Sequence, residues 1–144
     1  MAQEMRSPIE SGCPDAFQYM HPVMRKNYGQ WAYHEDPQPG VLLHVSNNGD
    51  KIWTVRAGTQ RILDVFTLRK LCDIGDQYGE GYIHFTIRSN IEYQVADEAK
   101  VQPLIKAIED AGFIVGGTRN SVAMLSHTQG WLHCDIPGTD ASGV

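Results

Sequence analysis

From Tyr82 to Val95 polar and apolar residues alternate without a break. Odd positions from 83 read Ile, Phe, Ile, Ser, Ile, Tyr, Val; even positions from 82 read Tyr, His, Thr, Arg, Asn, Glu, Gln. A period of two with no Gly or Pro predicts one long strand with a buried face and a polar face. On that reading Arg88 sits mid-strand on the polar face, between Thr86 and Asn90. Val41–Ser46 and Ile52–Arg56 read as shorter strands joined through Asn47-Asn48-Gly49-Asp50, since Asn-Gly is a strong hairpin signal. In the second of these Trp53 and Val55 face one way, Thr54 and Arg56 the other. Leu68, Leu71, Cys72 and Tyr78 follow helical spacing, with Thr67 as the expected N-cap and Gly79 as the stop. Val101, Leu104, Ile105 and Ile108 predict a second amphipathic helix ended by Gly112, with Pro103 confined to its first turn. Phe113–Val115 reads as a short buried strand.

The order strand, strand, helix, long strand, helix, strand predicts an α+β fold, a ferredoxin-like sandwich with both helices on one face of a mainly antiparallel sheet. The other sheet face is then expected to be open. His44, Thr54, Arg56, Thr86 and Arg88 all fall on it by parity. Two readings fit: a site for an anionic ligand, or a solvated face with scattered cations.

Composition narrows the classes. At 144 residues and 42% hydrophobic content the chain suffices for one domain with its own core. A net charge of -5 argues against a bulk nucleic-acid or anionic-membrane binder. No apolar run reaches membrane-spanning length, and Met1–Pro8 has no signal-peptide core. Cys13, Cys72 and Cys134 are odd in number and widely spaced, a poor disulfide framework, so the cytoplasm is the expected compartment. Residues 1–40 hold five of the seven prolines together with Tyr19, Tyr28, Trp31 and Tyr33. They read as an extended N-terminal arm, irregular over residues 14–34, that lays its rings on this chain or on a partner. Residues 41–116 form the sandwich. The small-residue ending Asp140–Val144 reads as that of a fragment.

Beyond the sandwich, Gly116-Gly117-Thr118-Arg119-Asn120-Ser121 is a loop rich in backbone donors. Ser126-His127-Thr128-Gln129-Gly130-Trp131-Leu132-His133-Cys134-Asp135 then gathers His, Cys and Asp side chains. Their spacing matches no zinc template. Both a ligand role and a purely structural role for Cys134 fit that segment.

Several stretches together resemble the N-terminal part of the dissimilatory sulfite reductase beta-subunit family. They are Asn27–Trp31, Pro39–Leu42, Thr54–Gly58, Phe85–Glu92, His127–Cys134 and Pro137–Gly143. The form Thr86-Ile87-Arg88-Ser89-Asn90, with Gly58-Thr59-Gln60-Arg61, is more similar to the reverse-acting enzymes of sulfur oxidisers. The resemblance implies a siroheme and 4Fe–4S oxidoreductase carrying out the six-electron interconversion of sulfite and sulfide, here in the oxidative direction. It implies an alpha subunit as partner in an alpha2beta2 heterotetramer, and a small sulfur-carrier protein of the same pathway. Residues 117–144 would open the siroheme and 4Fe–4S binding domain.

By the same resemblance, Cys134 is the first thiolate ligand of the cluster, the others lying in a Cys-Cys-x3-Cys group past Val144. Arg56 and Arg88 are the catalytic candidates. Arg56, Thr86, Arg88, Asn90, Arg119, Thr128, His133 and Cys134 are the candidate cofactor contacts. Arg119 departs from the small residue expected in the Gly-Gly-Thr loop. The competing reading is a non-catalytic ferredoxin-like module for ligand sensing or subunit assembly, because such sandwiches host many functions.

Overall fold

Odd-numbered strand residues and one stripe of each helix meet in a single apolar layer. The computed structural model describes residues 15–59, 62–120 and Gly138. A 3-10 turn at Ala16–Tyr19 and a short helix α1 (Pro22–Lys26) lead into strands β1 (Trp31–Gln38), β2 (Val41–Ser46) and β3 (Lys51–Gly58). Helix α2 (Val65–Tyr78), strands β4 (Tyr82–Phe85) and β5 (Asn90–Val95), helix α3 (Val101–Asp110) and the two-residue strand β6 (Ile114–Val115) complete the order. The sheet runs β1-β2-β3-β5-β4, every described pairing antiparallel, with β6 added beside the end of β3.

Val41, Leu43, Val45, Val55, Ala57, Ile91, Tyr93 and Val95 point from the sheet into the core. Leu71 and Ile74 of α2 and Val101, Leu104 and Ile108 of α3 meet them there. Fully burying one such aliphatic side chain contributes about 1.5–3 kcal/mol, which holds both helices on this face. The buried Tyr93 hydroxyl donates to the Leu71 carbonyl at 2.9 Å, so its polar end is satisfied inside the layer. The expected α+β sandwich with helices on one face is therefore observed. The hairpin forms where Asn-Gly predicts it, Gly49 taking φ 88. Both helices lie close to their expected spans, although α2 is capped by Asp64, whose Oδ1 accepts from the Thr67 amide at 2.6 Å, and not by Thr67 itself.

Four expectations are corrected. The stretch 82–95 is two strands and a tight turn, not one long strand. Thr86 accepts from the Ser89 amide, Ser89 has φ 60, and the chain folds back so that Tyr82 pairs with Gln94. Alternation survives the reversal because both arms keep their faces. Ile87, at the tip, is 99% exposed and not in the core.

The second correction concerns the face away from the helices, which is not open. Ile52, Thr54, Asn90, Glu92 and Gln94 are all buried. Part of the cover is the N-terminal segment, which is the third correction. Of the expected arm at residues 14–34, the described part from 15 on is not irregular: α1 lies over β3, and His21 sets its ring edge-on to Tyr82 at 4.9 Å. His21 Nε2 also meets Glu80 Oε2 at 2.6 Å. Trp31 opens an edge strand, with Pro37 near its end, where a missing amide is tolerated. Lastly, Phe113–Val115 is only half-buried: Phe113 and Val115 pack against the core, Ile114 is exposed, and only Ile114 and Val115 pair with β3.

Candidate functional site

Three side chains stand in one row across the sheet. Register pairs His84 with Glu92 and Glu92 with Arg56, so strands β4, β5 and β3 contribute one residue each to the same face. Neighbours directly opposite on antiparallel strands are close enough for ion pairs. Arg56 Nε donates to Glu92 Oε2 at 2.7 Å, and His84 Nδ1 lies 3.1 Å from Glu92 Oε1. Burial of Glu92 alone would raise its pKa, but hydrogen bonds from His84 and Arg56 outweigh that and hold it below the usual carboxylate value. The hydrogen bond to Glu92 in turn lifts His84 above the ordinary imidazole value, against the opposing effect of its partial burial.

Arg88 arrives by a different route. It sits in the β4–β5 turn, which Thr86 and Thr59 hold. Thr86 Oγ1 accepts from the Asn90 amide at 3.2 Å, and Thr59 Oγ1 donates to the Ser89 carbonyl at 2.6 Å. From there Arg88 Nη1 donates to the carbonyl of Gly117 at 3.4 Å, and Arg56 Nη1 donates to the same oxygen at 2.9 Å. The two arginines that parity placed on one face do converge. What joins them is the turn and the Gly116–Gly117 loop, not a shared strand position.

Gly117 has φ 83, and a Cβ there would collide with the side-chain amide of Asn90. Asn90 is fully buried, and among the described residues neither its Nδ2 nor its Oδ1 has a hydrogen-bond partner. An unmet buried amide is expensive to leave, by about 1–3 kcal/mol. Next in the loop, the buried Thr118 accepts from the Gly40 amide at 3.0 Å, tying the loop to the β1–β2 link. Arg119 turns away from the other two arginines: its Nε pairs with Asp36 Oδ2 at 3.2 Å, and its side chain is largely exposed. His44, also expected near the arginines, lies within electrostatic reach of Arg56 and Glu92 but makes its hydrogen bonds elsewhere. Its Nε2 lies 3.2 Å from Thr54 Oγ1 and its Nδ1 2.7 Å from Nδ1 of His34. Burial and the nearby His34 lower its pKa. Thr128, His133 and Cys134 lie outside the described residues.

His84, Glu92 and the Gly117 carbonyl were not singled out by sequence reasoning. Glu92 carried a usable signal: an acid at the same parity as an arginine, one strand away.

Chemically, the cluster has the donors to receive an anion. Arg56 commits two N–H groups to described acceptors and Arg88 one, of the five each guanidinium carries, leaving donors for a charge-assisted, bidentate contact. The unpaired Asn90 amide adds a donor and an acceptor beside them. Such a set fits the carboxylate fringe of a siroheme or a free oxyanion. For an iron–sulfur cluster the described residues hold only Cys72, exposed on α2, and among them no group of three or more His, Cys, Asp or Glu is gathered for a metal.

Residues 44–111 match the nitrite/sulfite reductase ferredoxin-like half domain. The dissimilatory-type sulfite reductase subunit beta of Archaeoglobus fulgidus is 47% identical over 132 residues, covering 87% of this chain and 36% of that protein. Its counterpart from Nitratidesulfovibrio vulgaris is 46% identical over 133 residues, covering 88% and 35%. That of Megalodesulfovibrio gigas is 39% identical over 150 residues, covering 99% and 57%. The chain thus spans about a third of the length of the first two relatives it matches.

Proposed function

We propose that this chain, which belongs to the family of dissimilatory-type sulfite reductase beta subunits, works as the cofactor-holding N-terminal part of such a subunit. The reaction in this reading is the six-electron interconversion of sulfite and sulfide, run in the oxidative direction. The observation that carries it is the meeting of Arg56 and Arg88 on the Gly117 carbonyl, next to the unpaired amide of Asn90.

Bound siroheme, coupled to a 4Fe–4S cluster, would supply the redox chemistry. The residues of this chain bind and orient. Arg56 and Arg88 take carboxylates of the macrocycle or the sulfur oxyanion through charge-assisted hydrogen bonds. Glu92 fixes the plane of the Arg56 guanidinium, so that binding need not freeze a mobile side chain. Thr86 keeps the turn that aims Arg88, and Asn90 offers its amide from a dry position. Gly117 lets the loop approach because it has no side chain to collide there. Thr128 and His133 are assigned to the rim of the same cofactor and Cys134 as a thiolate ligand of the cluster, while Arg119 would join that rim only by leaving Asp36.

The partners in this reading are an alpha subunit, in an alpha2beta2 assembly, and a small sulfur-carrier protein. The compartment is the cytoplasm, where thiolates stay reduced. No described helix is long and apolar enough to cross a membrane.

The test is Cys134→Ser in the full-length subunit purified with its alpha partner. Loss of the cluster's broad visible absorbance together with the siroheme bands is expected. A variant that keeps both unchanged removes Cys134 from the ligand set and the reading with it.

A further inference from the structure

His84 is not accounted for by any of the roles above, yet it completes the row. Glu92 is 5% exposed, and its two oxygens are divided between Arg56 on one side and His84 on the other. That leaves the His84 ring oriented by one nitrogen only. Nδ1 is committed to Glu92, while Nε2 makes no hydrogen bond to a described residue, and the side chain is 51% exposed. A histidine pinned at Nδ1 by a carboxylate and open at Nε2 presents, once protonated, a second donor in a fixed direction. The row continues to Arg56, which shares the Gly117 carbonyl with Arg88, so the free donor belongs to the same cationic cluster.

We propose that His84 is a further binding residue of this anion site, its ring held by Glu92 and its Nε2–H given to an oxygen of the bound oxyanion or carboxylate. The proposal rests on the anion-site reading of Arg56 and Arg88 and extends it to a group that titrates. The charged groups facing His84 are Glu92 from β5 and Arg56 from β3. Glu92 favours the imidazolium and Arg56 disfavours it, with Glu92 ahead. Anion affinity is therefore highest when His84 is protonated, and it falls as pH rises through a pKa above 6.5. Bound anion stabilises the imidazolium further, so the ligand itself raises the His84 pKa.

The experiment uses the 144-residue chain, labelled with 15N, titrated with sodium sulfate and separately with sodium acetate at about pH 6 and about pH 9. Both probes stay anionic throughout, so any pH dependence belongs to the protein. Binding about tenfold tighter at the lower pH is expected, as one charge-assisted hydrogen bond provides, with a shift of the His84 Nε2 resonance on binding. Stronger response to sulfate identifies a tetrahedral oxyanion as the ligand class, and stronger response to acetate a carboxylate; either supports the assignment. His84→Gln should keep the weak high-pH affinity at both pH values. His84→Lys, charged throughout, should hold the tighter affinity at the higher pH. The proposal is overturned if affinity does not change with pH in the native chain, if His84→Gln leaves the pH dependence intact, or if neither anion moves the Nε2 resonance. No siroheme or cluster enters these measurements, so the Cys134→Ser spectrum stands or falls separately.

Discussion

Replacing Arg56 with Met removes one of the two partners of a carboxylate that is only 5% exposed, and the effect on stability should depend on pH. The Arg56 side chain is itself 22% exposed, so the pair is largely shielded from solvent. At about pH 6 the His84 imidazolium still faces Glu92, and the loss is that of one charge-assisted hydrogen bond, about 1.5–3 kcal/mol. Above the His84 pKa the carboxylate keeps only a neutral imidazole, and the penalty approaches that of an uncompensated buried charge, about 3–5 kcal/mol. Half-exposure of His84 places the expected value toward the lower end of that range.

The signs agree with the individual shifts. His84 has a raised pKa, so its contribution is complete below its unfolded value and is lost as pH rises through the folded one. Glu92 has a lowered pKa, so its contribution is lost only as pH falls through that lowered value, well outside this window. Loss of Arg56 also removes a cation that depresses His84, which moves the transition upward. Urea unfolding of native and Arg56→Met chains between about pH 6 and pH 9 reads the difference, expected to widen by about 1 kcal/mol. Arg56→Met combined with Glu92→Gln should recover to within about 1 kcal/mol of the native chain, because no buried charge is left alone. An equal penalty at both pH values, or a double variant as unstable as the single one, refutes the coupling.

Asn90→Leu tests whether the unpaired amide serves a ligand. Removing an unmet buried polar group should leave unfolding stability unchanged or raise it by about 1 kcal/mol, while sulfate binding weakens; a stability loss above about 2 kcal/mol would show that the amide holds the fold. Ile87→Ser at the hairpin tip should change stability by less than about 0.5 kcal/mol, since the side chain is 99% exposed, whereas a residue inside a core strand would lose several times that. Thermal and urea unfolding decide between them.

Those two residues also mark where sequence was informative and where it was not. The hydrophobic periods of 68–78 and 101–108 located both helices because helix spacing is local and needs no partner. Parity placed Val55 in the core and Arg56 on the other face for the same reason. Parity failed at Ile87 because a reversal built on Ser89 in the left-handed region carries no Gly or Pro to announce it. It could not find Glu92 as the hub, since pairing partners depend on strand order, which no local pattern encodes. Nor could it foresee that polar residues such as Thr54 and Gln94 would be covered. That cover comes partly from the N-terminal segment around α1, whose prolines and aromatics read as an arm laid on this chain or on a partner.

The carbonyl that joins Arg56 and Arg88 belongs to a residue 61 positions after the first and 29 after the second. The same loop is tied to Gly40 by Thr118 across 78 positions. As the chain leaves the ribosome both guanidinia are present long before their common acceptor, and the longest chain closures come last because they give up the most loop entropy. A half-made chain thus offers scattered cations but no receptor. On the proposed anion-site reading, ligand loading would follow closure of the whole sheet, and a bound anion would then stabilise every element between Gly40 and Thr118 by mass action. Such a site would exist only once the domain has been completed.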